Sequence, residues 1–180
     1  MTTTPELVVL ADQHGNPIGT APKSTVHTTN TPYHLAFSCY VHNAAGEILL
    51  TRRALSKLTW PGVWTNSVCG HPGPGESYVD TVQRRGREEL GATLVDISEV
   101  LPDFSYRAID SSGIVEWEAC PVFSALLDGE LHPNPQEVDS FAWVSAQQLC
   151  AAVDATPFAF SPWLVEQLSH ERLRQALHCS

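Results

Sequence analysis

Residues 70–92 of the chain read GHPGPGESYVDTVQRRGREELGA. Glycine and proline dominate the first positions, which favours a tight turn, and residues 77–90 have the pattern of a helix. Ser77 and Asp80 form a capping-box pattern at its start, and Gly91 stands where a helix commonly ends. The segment therefore predicts a restrained loop that leads directly into a helix.

The periodicity of this helix predicts which of its residues face inward. Small and apolar side chains recur at helical spacing and form one stripe, namely Val79, Val82, Gly86 and Leu90. Glu89 lies at the edge of that stripe and is expected to face the interior, whereas Glu88 is expected to face water. Gly86 costs about 1 kcal/mol of helix stability relative to alanine, so we expect another backbone to approach closely there.

Upstream of the helix, residues 60–72 read WPGVWTNSVCGHP, with two tryptophans, a cysteine and a histidine. Glycine and proline restrict the backbone on both sides, so the side chains of Cys69 and His71 are presented in fixed directions. A buried hairpin with an incidental cysteine is the alternative interpretation. The residues that follow favour a functional one.

Alternating and apolar runs predict strands on both sides of this segment. They cover residues 6–10, 35–41, 47–53, 93–101, 104–109, 114–126 and 141–144, with loops at 20–33 and 154–160. A short helix is expected at 145–152, and a last helix should start at Ser161 and Pro162 and run to about residue 177. This order predicts one α+β domain spanning residues 1–180.

The composition excludes several classes of protein. The 180 residues, 43% hydrophobic and 17% charged, are typical of one globular domain. A net charge of −10 argues against nucleic acid as a partner. No apolar run is long enough to span a membrane, and residues 1–5 lack the features of a signal peptide. Five cysteines without a CxxC pair predict free thiols in a reducing cytoplasm.

Six of the ten basic residues fall in two short windows, Arg52, Arg53 and Lys57, then Arg84, Arg85 and Arg87. On an acidic chain such clusters favour an anion-binding site. Ion pairing along the helix is the alternative for the second window, because Arg84 and Arg85 each precede a glutamate by four residues. That alternative does not explain the first window.

Glu116 and Glu118 lie two residues apart on a predicted strand, so their carboxylates project from one face, about 6.5–7 Å apart at Cα. Such carboxylates repel unless a metal, a shared proton or flanking cations compensate them; a solvated strand face is the alternative. His27, His34 and His71 are each more typical of ordinary surface or core histidines. Together with the two carboxylates, however, they form a suitable donor set for a divalent transition metal.

The pattern from residue 70 to 92 resembles the Nudix box, whose glutamate-rich helix holds divalent metals against a diphosphate. The matching residues are Gly70, Glu76, Arg84, Glu88, Glu89, Gly91 and Ala92. Arg85 replaces a glutamate of that pattern, and Gly86 replaces an apolar residue. The loss of one carboxylate weakens the metal-holding role and leaves a basic group facing the same ligand.

Four segments are similar to the family of type 1 isopentenyl-diphosphate isomerases, divergent members of the Nudix superfamily. They are TRRALSK at 51–57, WPGVWTNSVCGHP at 60–72, EWE at 116–118 and AFSPW at 159–163. The resemblance implies a Nudix-like mixed sheet flanked by helices in a single compact domain. It also implies conversion of isopentenyl diphosphate to dimethylallyl diphosphate, in which one carbon gains a proton and another loses one.

Carried over to this chain, the resemblance assigns roles to individual residues. Cys69 and Glu118 would be the acid/base pair, Tyr106 would support the protonating side, and Trp163 would face the cationic centre. A tightly bound divalent metal, Mn, Zn or Mg, would be held by His27, His34, His71, Glu116 and Glu118. Glu89 would help to hold Mg²⁺ on the diphosphate, and the diphosphate itself would be met by Lys23, Arg53, Lys57 and Arg85.

The chemistry of the residues agrees with this resemblance. Protonating an unactivated alkene creates a tertiary carbocation, which the ring face of Trp163 would stabilise, and the proton donor and acceptor must stand on opposite sides of the allylic unit. No dinucleotide fingerprint occurs, so neither flavin nor nicotinamide is expected. We expect a small-molecule diphosphate as the partner of a cytoplasmic monomer or weak homodimer.

Two other functions stay open at this point. The first is a Nudix diphosphohydrolase that acts on a nucleoside diphosphate derivative, which Arg85 in place of a glutamate disfavours. The second is a non-catalytic ligand sensor on the same fold, which would need the basic pocket but neither Cys69 nor Glu118.

Overall fold

The computed structural model describes residues 5–179, which form two sheets and several helices. The strands are β1 Leu7–Ala11, β2 Pro17–Pro22, β3 His34–Leu35, β4 Phe37–His42, β5 Ile48–Arg53, β6 Trp64–Thr65, β7 Val68–Gly70, β8 Thr93–Leu101, β9 Ser105–Ile109, β10 Val115–Ala119, β11 Val122–Asp128 and β12 Val138–Val144. The helices are α1 Lys23–Val26, α2 Tyr78–Leu90, α3 Ala146–Ala155, α4 Pro162–Gln167 and α5 Glu171–Ala176, with a 3₁₀ turn at Pro157–Ala159. The expectation of no signal peptide falls mainly on residues 1–4, outside the described residues.

The two sheets meet along two pairs of parallel strands. One sheet has the order β2-β1-β3-β10-β9 and the other β12-β5-β4-β11-β8, with β6 on β5 and β7 on β4. The pairs β3–β10 and β4–β11 are parallel. Between them two single backbone hydrogen bonds bridge the junction: Ala36 N donates to Ala119 O at 2.8 Å and Ser38 N donates to Pro121 O at 3.1 Å. We call this junction the seam. The mixed sheets and the flanking helices confirm the predicted α+β class.

The strand predicted at 114–126 is divided at the seam, so that prediction is wrong. β10 ends at Ala119, and β11 begins at Val122 in the other sheet. Pro121 has no N–H to donate, so a regular ladder does not continue through it. The division leaves Glu116 and Glu118 in the smaller sheet, beside the seam.

Helices cover both faces of the larger sheet. Alternate residues of β4 serve the two sides: Phe37, Cys39 and Val41 pack in the cluster beneath α2, and Tyr40 packs in the cluster formed with α3, α4 and α5. All four side chains are completely buried. The predicted alternation is therefore confirmed for residues 37–41, whereas Leu35 belongs to β3 in the smaller sheet, so the single strand predicted at 35–41 is wrong. Within residues 5–179, no helix combines the length and the apolar character needed to cross a bilayer.

Helix α2 follows the sequence pattern closely. The side chain of Ser77 accepts a hydrogen bond from the N–H of Asp80, and Gly91 ends the helix with φ of 58°. The Glu88 side chain is 45% exposed and that of Glu89 is 12% exposed, which confirms their predicted directions. Val79 is 46% exposed, so its place in the buried stripe was predicted wrongly.

Two predicted segments differ from the secondary structure that the chain forms. The loop predicted at 20–33 contains the end of β2 and all of α1, because the Pro- and Thr-rich segment pairs with β1 as an edge strand, where proline is tolerated. The last helix is two helices, α4 and α5. The hydroxyl of Ser169 donates to the carbonyl of Glu166 at 2.6 Å and competes with the helical hydrogen bonds at that point.

The cysteines are not all free, contrary to the expectation. Cys150 in α3 and Cys179 after α5 form a disulfide, with their Cα atoms 6.2 Å apart. Cys39, Cys69 and Cys120 are free. The disulfide joins segments separated by 29 residues, and only the packing of α3 against the C-terminal segment brings them together.

Gly86 lies against a side chain more than against a backbone. An added Cβ would lie 2.7 Å from Leu94 Cδ1 and 2.8 Å from Leu94 Cγ, whereas the nearest backbone atom, Ala92 O, would be 3.5 Å away. The predicted close approach of a backbone is therefore wrong: Gly86 is required by the side chain of Leu94.

We expect Gly86→Ala to lower the free energy of unfolding by about 1–3 kcal/mol, because overpacking against Leu94 outweighs the gain of about 1 kcal/mol in helix propensity. Denaturant unfolding measures the change. In a Leu94→Ala background the same substitution should be neutral or stabilising, since the obstructing atoms are gone. An equal loss in both backgrounds would contradict this explanation.

Candidate metal centre and active site

One cavity of about 580 Å³ gathers almost all of the residues singled out in the sequence. Those that line it are Lys23, His27, Arg53, Lys57, Cys69, His71, Arg85, Glu89, Tyr106, Glu116, Glu118 and Trp163. His34 is not among the lining residues; it is fully buried on β3 and approaches Glu118. Segments distant in sequence, from α1 to α4, therefore supply one site at the seam.

An ion pair between α2 and the preceding loop orients His71. Arg84 donates to both carboxylate oxygens of Glu76, at 2.7 and 2.8 Å, and its Nη2 also donates to the carbonyl of His71 at 3.1 Å. The N–H of Gly73 donates to Glu76 at 2.8 Å. The hydrogen bonds from Arg84 lower the pKa of Glu76 to about 2. The loop is thus attached to the helix, and His71 is held toward the cavity.

Three imidazoles converge on one carboxylate oxygen. The Nε2 atoms of His27, His34 and His71 lie 3.8, 3.4 and 3.1 Å from Oε1 of Glu118. One candidate ligand atom from each of these four side chains lies within 4.8 Å of all the others. We call these residues the His/Glu cluster.

The His/Glu cluster has more acceptors than hydrogens. Nδ1 of His34 lies 2.8 Å from the carbonyl of Pro32, so it carries the hydrogen and Nε2 presents its lone pair to Glu118. Within the described residues, Nε2 of His27 and Nε2 of His34 are buried without a hydrogen-bond partner. Convergent lone pairs of imidazole and carboxylate fit a divalent cation. The cluster can therefore hold a metal ion.

Burial and mutual charge set the protonation of this region. Burial favours a protonated Glu118, but the close approach of the three imidazoles, led by the hydrogen bond with His71, outweighs it and keeps its pKa well below the usual value. Burial and the charge on Glu118 raise the pKa of Glu116. Burial lowers the pKa of His71 to about 4, whereas at His34 the contact with Glu118 overcomes burial and raises the pKa.

Tyr106 connects the two carboxylates of β10. Its hydroxyl lies 2.8 Å from Glu116 Oε2 and 2.9 Å from Glu118 Oε2, and Thr59 donates to Glu116 Oε1 at 2.7 Å. Glu116 therefore stands beside the His/Glu cluster. Both carboxylates are buried, so the alternative of a solvated strand face is wrong; it is Trp117, on the opposite face of β10, that is 43% exposed.

Cys69 lies on β7 with its sulfur at the cavity. Burial raises the pKa of this thiol to about 12, although a hydrogen bond from Ser38 acts in the opposite direction. The sulfur is 3.3 Å from Asn66 Oδ1 and 3.4 Å from Ser38 Oγ. At neutral pH the side chain is therefore a thiol with a proton to donate.

An aromatic wall also lines the cavity. Trp163 is almost fully buried, and its Nε1 donates to Asn66 Oδ1 at 3.1 Å. Trp60 meets it edge to face at 5.3 Å between ring centroids, and Tyr106 lies at 5.7 Å. The guanidinium of Arg53 lies 5.5 Å from the ring centroid of Trp163. The aromatic wall therefore presents the face of the Trp163 indole ring in a part of the cavity with little exposure to water.

Three of the four candidate diphosphate-binding cations are already paired. Lys23 contacts Glu6 at 2.8 Å, Lys57 contacts Glu137, and Arg85 contacts Glu88, Glu89 and Glu137. Arg53 instead donates to the carbonyl of Thr59, at 3.1 Å from Nε and 2.8 Å from Nη2. An anionic ligand would therefore compete with internal carboxylates for this basic group.

Several residues of the site were missed in the sequence. Glu6 and Glu137 line the cavity and pair with its cations. No pattern in the first twenty residues indicates Glu6 as a site residue. Thr59 binds both Arg53 and Glu116. Asn66 lies inside the 60–72 segment. Of these missed residues it is the one that the sequence pattern could have indicated, because a buried amide needs several hydrogen-bond partners.

Comparison with known proteins identifies the family. A NUDIX domain model matches residues 32–164. The isopentenyl-diphosphate Delta-isomerase of Corynebacterium glutamicum is 63% identical over 98% of this chain and 96% of its own length. That of Kocuria rhizophila is 55% identical over 97% of each chain. The chain belongs to the isopentenyl-diphosphate Delta-isomerase family of Nudix proteins.

Solved structures show the same Nudix fold. A crystal structure from Deinococcus radiodurans has a TM-score of 0.69 at 20% identity and covers 91% of this chain and 98% of its own. The MutT protein from Methanosarcina mazei has a TM-score of 0.64 at 20% identity and covers 81% of this chain and 96% of its own. The predicted Nudix-like fold is thereby confirmed.

Metal removal tests the His/Glu cluster of this Nudix protein. We expect chelation to lower the melting temperature and added divalent metal to restore it, because an ion that binds only the folded state stabilises it, by about 2.7 kcal/mol at a hundredfold excess over Kd. His71→Asn removes one converging nitrogen and should abolish the shift. His132→Asn is the matched control, since its side chain is 71% exposed. Equal metal-dependent shifts in both variants would contradict the assignment.

Proposed function

We infer that this chain isomerises isopentenyl diphosphate to dimethylallyl diphosphate through protonation and deprotonation by way of a tertiary carbocation. The observation that carries the proposal is the cavity itself. It places a protonated thiol, Cys69, and an ionised carboxylate, Glu118, in one lining with an aromatic wall and a group of cations. The names of the relatives at 55–63% identity support the same reaction.

Cys69 and Glu118 are the proposed acid/base pair. In one direction the thiol gives its proton to the alkene and the carboxylate removes a proton from the neighbouring carbon; in the other the roles reverse. Tyr106 holds a hydrogen bond on Glu118 and orients it. Trp163 faces the positive charge that develops between the two steps, because the face of an indole ring attracts cations.

The metal centre has a supporting role in this proposal. His27, His34, His71 and Glu118 would hold the ion, with Glu116 beside them as a fifth donor. Manganese, zinc and magnesium are the candidate ions. A bound divalent ion supplies fixed positive charge that compensates the buried carboxylates and keeps Glu118 in one orientation.

The basic group would bind the diphosphate of the substrate. Lys23, Arg53, Lys57 and Arg85 all line the cavity. We propose that Glu89 helps to hold a Mg²⁺ ion on the diphosphate, because Glu89 lies at the same end of the cavity and is bound to Arg85. Cations in a partly enclosed site also raise the local concentration of an anionic substrate.

A diphosphohydrolase is the less favoured function. Arg85 stands where the Nudix box has a glutamate, and it binds the adjacent Glu88 and Glu89. Hydrolysis of a diphosphate does not require a thiol and a carboxylate beside the aromatic ring of Trp163. We place the proposed isomerase in isoprenoid biosynthesis, as a cytoplasmic monomer or weak homodimer.

Turnover of isopentenyl diphosphate in D₂O tests the function directly. We expect NMR to show dimethylallyl diphosphate that carries deuterium, because the donated proton comes from a side chain that exchanges with solvent. Released phosphate would instead indicate a hydrolase. Binding without turnover would indicate a sensor, and either result would overturn the proposal.

Cys69→Ala tests the acid/base pair. We expect turnover to fall by at least about a hundredfold, since a positioned general acid or base contributes about 10²–10⁴ to the rate. Metal content and melting temperature should stay close to those of the unaltered protein. Cys39→Ala is the matched control, because Cys39 is a buried free thiol outside the cavity lining. Turnover within a few-fold of normal in metallated Cys69→Ala would make Cys69 a structural residue.

A further inference from the structure

A set of buried polar groups surrounds the sulfur of Cys69. Its sulfur has two oxygen neighbours, Asn66 Oδ1 at 3.3 Å and Ser38 Oγ at 3.4 Å. Both Asn66 and Ser38 are completely buried. Ser38 does not line the cavity, so it has no part in binding the substrate. The hydrogen-bond directions around these two residues decide what each offers to the sulfur.

The amide of Asn66 has one possible orientation. Its Nδ2 donates to the carbonyls of Cys39 and Val68, each at 3.1 Å, and its Oδ1 accepts from Nε1 of Trp163 at 3.1 Å. Carbonyls only accept and an indole N–H only donates, so the amide cannot be reversed. Asn66 therefore offers the thiol of Cys69 an acceptor and nothing else.

Ser38 offers the opposite. Nε2 of Gln167 donates to Ser38 Oγ at 2.9 Å, and Oε1 of Gln167 accepts from the hydroxyl of Tyr40 at 2.8 Å. Because the oxygen of Ser38 is already an acceptor, its own hydrogen is directed to a sulfur. The two within reach are Cys69 at 3.4 Å and Cys120 at 3.5 Å. Ser38 is thus a donor fixed in place by Gln167.

We propose that Ser38, held by Gln167, is a positioning residue that retains the sulfur of Cys69 in place when its proton has left. This inference rests on the proposed role of Cys69. In that step the S–H bond breaks and its electron pair stays on sulfur, while the proton and the π electron pair of the alkene form a C–H bond. The opposite charge appears on the adjacent carbon as the carbocation.

The two neighbours serve the two states of the sulfur. The thiol gives its hydrogen to Asn66 until the substrate takes it. The sulfur anion that follows faces the oxygen of Asn66, which repels it, and the hydroxyl of Ser38, which donates to it. A reversible isomerisation passes through both states in every turnover, so the site needs one acceptor and one donor on the same sulfur.

Ser38→Ala tests this role through a separation of kcat from KM. We expect kcat to fall about tenfold, the equivalent of one hydrogen bond to a charged atom, with KM for isopentenyl diphosphate unchanged within twofold. The solvent deuterium isotope effect on kcat should rise, because proton transfer becomes more fully rate-limiting. A partly unfolded preparation would lower kcat without altering the isotope effect. Ser38→Thr restores a hydroxyl and should recover most of the turnover.

Two further variants complete the test. Cys120→Ala removes the other sulfur near Ser38, so kcat should be unchanged or raised. Gln167→Glu replaces the donating amide by an acceptor that turns the hydrogen of Ser38 away from Cys69, and should repeat the effect of Ser38→Ala. That variant also carries the test if Ser38→Ala proves unstable in thermal melting.

The outcomes separate this inference from the proposed function. If the unaltered protein converts the substrate and Cys69→Ala does not, yet Ser38→Ala and Gln167→Glu keep normal kcat and isotope effect, the inference is overturned and the function stands. An equal loss in Cys120→Ala would also overturn it, because general disturbance of the core would then be the cause. No turnover by the unaltered protein would remove the function and the inference together.

Discussion

The arrangement of this protein depends on a surplus of buried hydrogen-bond acceptors. Imidazole nitrogens from His27, His34 and His71 meet one oxygen of Glu118, and two of these nitrogens have no hydrogen-bond partner among the described residues. Burying such groups costs several kcal/mol unless a cation or proton compensates them. The fold therefore favours the binding of a metal ion by the His/Glu cluster.

The seam between the sheets is what makes the cluster possible. β3 brings His34 beside Glu118 on β10, with their Cα atoms in register. The loop before α2 supplies His71, and the ion pair between Glu76 and Arg84 ties that loop to the helix. The loop and helix of the Nudix box thus position His71, a candidate metal ligand, and also carry charged side chains.

Charge is divided between the parts of the cavity. Basic side chains paired with carboxylates line one part of it, and Arg85 contacts three carboxylates, those of Glu88, Glu89 and Glu137. The thiol of Cys69 and the ring of Trp163 share one acceptor, Asn66. Because the two groups hang on the same buried amide, a shift of either would move the other. The proposed acid and the aromatic wall are therefore mechanically coupled.

Local patterns were sufficient for much of this protein, and tertiary contacts decided the rest. The caps of α2, the alternation of β4 and the directions of Glu88 and Glu89 follow from the backbone periods of 3.6 and 2 residues. Many of the cavity residues also stand in short sequence motifs. The break at Pro121, the Cys150–Cys179 disulfide and the cavity carboxylate Glu137 depend on which distant segments meet. Pairing across a sheet and packing between helices join residues that no local period connects, and only the folded chain determines them.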